Sequence, residues 1–262
     1  MRELSLFTGA GGGLLGTILL GWRCVGAVEW EQYPCRVLEQ RQKDGVLDDF
    51  PIWNMDIREF NRRIAPSYTG LVDVVSAGFP CQPFSNAGKR LGEDDERNMW
   101  PATIECIRVV QPRFALLENV PGLLTSGYFG KILGDLAESG YDARWRILSA
   151  AEVGAPHRRN RLWIVADAQK QRMERPSWED WKQNWNRQKW MDSIGSGANV
   201  ADADSGSLVR ITEPREECSG WTVEPDVGRV ANGVAARVDR IKAIGNGQVP
   251  AVVAAVWRLL SA

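Results

Sequence analysis

One thiol and one carboxylate stand where the edge of a sheet would present them. Cys81 lies in Gly78-Phe79-Pro80-Cys81-Gln82-Pro83-Phe84-Ser85, which follows the apolar run 72–77, and two prolines restrict the backbone around the thiol. A lone cysteine is usually a small buried hydrophobe. In a loop beyond a strand, with positive charge nearby to lower its pKa, its thiolate is a nucleophile. Glu118 ends a second apolar run, Phe114-Ala115-Leu116-Leu117, where desolvation favours the protonated carboxyl.

A glycine loop forms a third feature. Leu6-Phe7-Thr8-Gly9-Ala10-Gly11-Gly12-Gly13 ends a strand pattern and opens a helix pattern, and Gly11, Gly13 and Gly16 fit G-x-G-x-x-G. Such a loop offers backbone N–H groups and bare backbone to a nucleotide-like ligand. Glu29 closes the next strand pattern, where a carboxylate can take ribose hydroxyls. NAD and S-adenosylmethionine both carry an adenosine ribose, so the pair points to an adenosine-containing cofactor without choosing between them; on the glycines alone, a tight strand-to-helix turn explains the pattern too. Trp30 offers an aromatic face for adenine, and Asp56, in Met55-Asp56-Ile57 after a short strand at 52–54, a carboxylate for its amine.

The elements that must position these groups alternate. Strand patterns at 4–7, 24–30, 72–77 and 114–118 interleave with helical patterns at 12–21, 31–40, 101–110 and 129–139, and further strands are expected at 143–148 and 161–165. Such alternation predicts an α/β fold with a parallel sheet covered by helices. Ligands of such sheets sit beyond the carboxyl ends of the strands. From residue 167 to 237 the chain turns polar and rich in Ser, Gly, Asn and Trp, which marks a small second domain or long insert, and an apolar helix over Pro250–Leu260 returns to the first domain.

Composition narrows the function classes. The 262 residues carry 32 basic and 33 acidic side chains, a net charge of −1, so there is no global basic excess of the kind many phosphate binders show. Five cysteines without a Cys-x-x-Cys pair, and a single histidine, argue against a disulfide framework or a metal site. No apolar stretch reaches the ~18 residues of a membrane span, and the chain reads as cytoplasmic.

Taken in order, these motifs resemble the DNA cytosine-5 methyltransferases of bacterial and phage type. The family's Phe-x-Gly-x-Gly-Gly loop matches Phe7 to Gly12, its Pro-Cys-Gln matches Pro80-Cys81-Gln82, and its Glu-Asn-Val matches Glu118-Asn119-Val120. Its Gln-x-Arg-x-Arg resembles His157-Arg158-Arg159-Asn160-Arg161, and its late Gly-Asn segment resembles Gly245-Asn246-Gly247-Gln248-Val249-Pro250.

The resemblance implies a Rossmann-like S-adenosylmethionine-dependent methyltransferase sheet, with catalytic and cofactor-binding residues in 1–166, a small target-recognition region in 167–237, and a C-terminal segment, 238–262, returning to the catalytic domain. It implies that Cys81 adds to carbon-6 of a flipped cytosine, that Glu118 hydrogen-bonds ring nitrogen 3, and that Arg159 and Arg161 face the base and hold Cys81 as thiolate. Phe7, Gly9, Gly11, Glu29, Trp30, Asp56, Ile57, Pro80 and Asn246 would line the S-adenosylmethionine pocket. Double-stranded DNA is the implied partner of a monomeric enzyme with no metal, and a cognate restriction endonuclease is a further candidate partner.

Two motifs depart from the family pattern: His157 replaces a Gln, read as a substitute hydrogen-bonding group, and Gly247-Gln248 replaces a small-plus-Val pair, read as a packing change. Within 167–237, Trp178, Trp181, Trp185 and Trp190 interleave with Lys182, Arg187 and Lys189, giving the local basic face that the whole-chain charge lacks. Spacings of three and four put Trp178, Trp181 and Trp185 on one helical face, which equally suits a small subdomain core. An NAD-dependent oxidoreductase would leave Cys81, Glu118 and the arginine pair without a use. An amino-group DNA methyltransferase needs an Asp/Asn-Pro-Pro-aromatic loop that this chain lacks. A cytosine-5 RNA methyltransferase of the tRNA type, or a non-catalytic DNA-binding module, are the alternatives.

Overall fold

The computed structural model describes residues 1–80, 98–168 and 237–261. Cys81, the tryptophan-rich run 178–190 and nearly all of the expected target-recognition region lie outside the described residues.

Seven strands form one sheet: β1 (Arg2–Leu6), β2 (Arg23–Glu29), β3 (Ile52–Asn54), β4 (Val74–Ala77), β5 (Phe114–Asn119), β6 (Tyr141–Leu148) and β7 (Arg161–Ala168), in the order β3-β2-β1-β4-β5-β7-β6. The described helices are α1 (Gly12–Ile18), α2 (Gln32–Lys43), α3 (Ile57–Arg63), α4 (Trp100–Val110), α5 (Tyr128–Glu138), α6 (Arg237–Asn246) and α7 (Pro250–Leu260). The first five strands are parallel. β7 runs antiparallel to both β5 and β6, which departs from the all-parallel expectation. Parallel neighbours need a crossover of a dozen or more residues, usually helical, whereas the twelve residues between β6 and β7 hold only a single 3-10 turn, at Ala151–Val153. β7 therefore folds back and enters the gap between β5 and β6.

Alternation along the strands divides the core between the two faces of the sheet. Leu4, Leu6, Val75, Ala77, Ala115, Leu117, Leu162 and Ile164 meet the apolar sides of α3, α4 and α5, including Ile57, Phe60, Ile104 and Ile132. Val74, Phe114, Leu116, Trp163 and Val165 meet Val252, Val253 and Val256 of α7. Trp257 closes this layer, with its ring edge-on to Trp22 at 4.6 Å and to Phe114 at 5.0 Å between centroids. Large apolar side chains buried this way contribute ~1.5–3 kcal/mol each, so α7 is an integral layer of the sheet domain rather than an appendage. Glu3, fully buried in β1, accepts from the hydroxyls of Thr17 and Ser76, fastening α1 and β4 to the central strand.

Helix starts follow local chemistry. Asp56 caps α3 by accepting from the Arg58 N–H at 2.7 Å, and prolines stand in the first turns of α4 and α7, where no intrahelical N–H partner is required. No described helix is long and apolar enough to cross a membrane.

Candidate active site

The ends of β1, β2, β3, β4 and β5 share one edge, and Gly9, Glu29, Asp56, Pro80 and Glu118 close or follow these strands. On the β1–β2 side the Glu29 carboxylate, 9% exposed, receives two backbone donors: Gly9 N–H to Oε2 and Glu31 N–H to Oε1, both at 2.8 Å. Burial pushes this carboxyl above its ordinary value, and the two N–H donors oppose that shift. Gly9 has φ +55°, and a Cβ placed on it would meet nothing within 4 Å, so open space lies over this turn. Phe7, also at positive φ, packs partly buried against the core. Trp30 is 69% exposed beside Glu29.

The rest of the glycine run is used differently from the sequence expectation. A Cβ on Gly12 would stand 2.4 Å from the Gln248 carbonyl oxygen, one on Gly13 2.4 Å from Gln248 Oε1, and one on Gly16 2.6 Å from Val253 Cβ. Gly11, at φ +85°, abuts Leu38 of α2. Where a Cβ would stand, these four glycines admit the protein's own segments, Gly12, Gly13 and Gly16 the returning C-terminal one, whereas Gly9 has no described atom within 4 Å. Asp56 Oδ1 is committed to its helix cap, and Ile57, 4% exposed, is buried in the core. Asn246 ends α6, exposed, and Lys242 of the same helix pairs with Glu31 at 2.5 Å, placing α6 beside Glu29.

On the β5 side, Glu118 is 9% exposed, and its Oε1 lies 2.8 Å from Arg161 Nε. Burial raises the Glu118 carboxyl; the positive charges of Arg161 and Arg159, and hydrogen bonds from Gln248 and Arg161, pull the other way. Arg159 adopts φ +29°, a backbone region sparsely used by residues with a Cβ, and its Nη1 donates to the Gly245 carbonyl at 2.8 Å. Glu118, Arg159, Arg161, Trp163, Gln248 and Val249 line a small cleft of about 10 Å³. Among the described residues, the buried Trp163 Nε1 has no hydrogen-bond acceptor.

The antiparallel strand explains how the arginines arrive. β7 starts where β5 ends, with Glu118 opposite Trp163 and Asn119 opposite Leu162, so Arg161 reaches the edge as the first residue of β7 and Arg159 two residues ahead of it. Pro80, exposed, is the last described residue before Cys81. Asn119 fixes the loop leading there, donating from Nδ2 to the Phe79 carbonyl at 3.1 Å and accepting the Val120 N–H on Oδ1 at 2.8 Å. The sequence motif contained Asn119 without indicating this task. Gln248, expected to change packing only, hydrogen-bonds Glu118; its signal was a polar amide in a segment where the family pattern has a small-plus-Val pair. His157 is exposed.

The cysteines elsewhere behave as core. Cys24, Cys35 and Cys106 are free and buried, and burial raises all three thiols, Cys35 to about 12.

Comparison with known proteins now decides the family: the family model for C-5 cytosine-specific DNA methylase matches residues 1–224. The chain belongs to this family. Among relatives of this cytosine-5 methylase is the Type II methyltransferase M.NgoMIV of Neisseria gonorrhoeae, 36% identical over 170 residues, covering 63% of this chain and 51% of the relative. Another is the Type II methyltransferase M.BsuFI of Bacillus subtilis, 36% identical over 166 residues, covering 62% of this chain and 38% of the relative. The match to this methylase thus spans about half or less of the length of these relatives. Its sheet also resembles a crystal structure of a mutant of Spodoptera frugiperda DNMT2, with TM-score 0.51 and 23% identity over 67% of this chain and 53% of that one.

Proposed function

We propose that this protein is a sequence-specific DNA cytosine-5 methyltransferase that works through a covalent Cys81 adduct on a flipped cytosine. The observation that carries the reading is Glu118: a buried carboxyl at a strand end, raised by its burial yet bracketed by two arginines, opening onto a cleft at the edge where Pro80 leads into Cys81.

Carbon-5 of cytosine is a weak nucleophile until a group adds to carbon-6. The Cys81 thiolate forms that carbon–sulfur bond, and Glu118, protonated, donates to ring nitrogen 3 and stabilises the enamine that develops. S-adenosylmethionine supplies the methyl group that carbon-5 takes up. Loss of the carbon-5 proton, with water as acceptor, and elimination of the thiolate restore Cys81 and release 5-methylcytosine. Reaching carbon-6 requires flipping the base, at an unstacking cost of a few kcal/mol. Arg161 and Arg159 hold positive charge beside Glu118.

The β1–β2 edge fits the cofactor by its own geometry. Gly9 leaves space for close approach, Glu29 presents oxygens for ribose hydroxyls, and Trp30 presents an exposed face for adenine. Phe7, Gly11, Asp56, Ile57, Pro80 and Asn246 complete the assignment by family resemblance. Duplex DNA is the substrate, residues 167–237 read its sequence, and a cognate restriction endonuclease is the expected companion.

The test is incubation with S-adenosylmethionine and duplex DNA bearing 5-fluorocytosine in all sequence contexts, beside Cys81→Ala. Fluorine at carbon-5 cannot leave as a proton does, so the wild type is expected to give a denaturation-resistant protein–DNA adduct and the variant none. Adduct on tRNA but not on DNA would move the substrate to RNA. Its absence from both, with the cofactor bound, overturns the catalytic reading.

A further inference from the structure

Gln248 sits between α6 and α7 and has no part in the reaction set out above. Its Oε1 abuts the Gly13 backbone in the first turn of α1, while its Nε2 and Glu118 Oε2 each stand 3.0 Å from where a Cβ on Gly78 would be. The amide thus spans the edge from the glycine loop to the loop after β4, and on the way it donates a hydrogen bond to the Glu118 carboxylate. The carboxylate therefore has two side-chain partners, Arg161 at Oε1 and the Gln248 amide.

We propose that Gln248 is a positioning residue for Glu118, fixing the orientation of its carboxyl and tying that orientation to the glycine loop at the start of α1. The argument rests on the reading of Glu118 as the group that meets the base. A carboxyl that must aim one proton at a ring nitrogen needs its torsion held, and a neutral amide holds it without adding a second full charge beside it. A cation there would favour the ionised form far more strongly. The lack of side chains at Gly13 and Gly78 makes room for this amide, and the lack of one at Gly12 makes room for the Gln248 backbone.

The experiment uses the full chain as wild type, Gln248→Ala, Gln248→Glu, Gly13→Ala and the double variant Gly13→Ala/Gln248→Ala. Alanine suits a helix better than glycine does, and a Cβ at position 13 meets only the Gln248 side chain, so Gly13→Ala displaces the amide without touching Glu118. Two readouts are taken: the pH titration of the Glu118 carboxyl by carbon-13 NMR in the free protein, assigned with Glu118→Gln, and single-turnover methyl transfer against pH.

Gln248→Ala and Gly13→Ala are each expected to raise the Glu118 midpoint, because a donor to the ionised form is lost. Each should slow transfer on the order of tenfold to a hundredfold, with KM for DNA nearly unchanged. The double variant should fall no further than Gln248→Ala, since the added methyl then has nothing to displace. Gln248→Glu should recover rate as pH falls and the introduced carboxyl regains a proton to donate. An unmoved Glu118 midpoint in Gln248→Ala, or additive losses in the double variant, overturns the proposal. If the wild type transfers no methyl group, the functional reading fails, and the carboxyl titration still decides on Gln248: a raised midpoint supports it and an unmoved one refutes it.

Discussion

Two buried carboxylates end two strands of the same sheet, and they are held in opposite ways. Glu29 is gripped by backbone N–H groups of Gly9 and Glu31, one of them two residues away in the chain. Glu118 is gripped by side chains from Arg161 and Gln248, which come from β7 and from the segment before α7. Burial raises both carboxyls. Fixed backbone dipoles keep Glu29 an acceptor of set direction, as a ribose requires. Long side chains make the proton affinity of Glu118 adjustable by residues far along the chain, as a proton donor to a base requires.

Substitutions should separate the two roles. Glu118→Gln keeps the shape but removes the titrating proton, and a loss of about a hundredfold to ten-thousandfold in single-turnover methyl transfer is expected, with S-adenosylmethionine affinity unchanged. Loss of cofactor binding instead would erase the distinction between the sites. Arg161→Gln should cost about 1.5–3 kcal/mol in urea unfolding, because it takes a charged partner from a mostly buried carboxylate. It also lets the Glu118 titration rise further, so the alkaline limb of activity should move to higher pH; a shift to lower pH would contradict the assignment of the protonated form as active.

Stability against pH follows the same sign. A carboxyl raised in the folded state contributes fully below its unfolded value of about 4.3, and that contribution is lost as pH climbs through the folded value. Glu118→Gln should therefore flatten part of the fall in unfolding free energy above about pH 4.3. Glu29→Gln should weaken S-adenosylmethionine binding about tenfold by calorimetry while the Glu118 titration stays in place. The smallest effect is expected from Asp56→Ala, about 1 kcal/mol of stability through loss of the α3 cap. A loss of cofactor affinity in that variant beyond the stability change would place its second oxygen in the pocket.

The positions of the strands and of most helices were legible in the sequence, because burying one face of each element imposes a period that a single chain displays. The same holds for Glu29, Glu118 and the Pro80 approach to Cys81, which sit where an apolar run stops. Spacing alone was a poorer guide to the glycine loop, since Gly12, Gly13 and Gly16 look like ligand-facing backbone until the returning segment is seen to fill the space above them.

By itself, then, the amino-acid order determined the α/β class and the family, both of which depend on local pattern and residue chemistry. Tertiary structure alone decided that β7 runs antiparallel, that Arg159 and Arg161 reach the edge at the start of that strand, and that Gln248 meets Glu118. Those facts depend on which segments pair across more than forty residues, and pairing at that distance is set by how whole faces bury together, which no local period encodes.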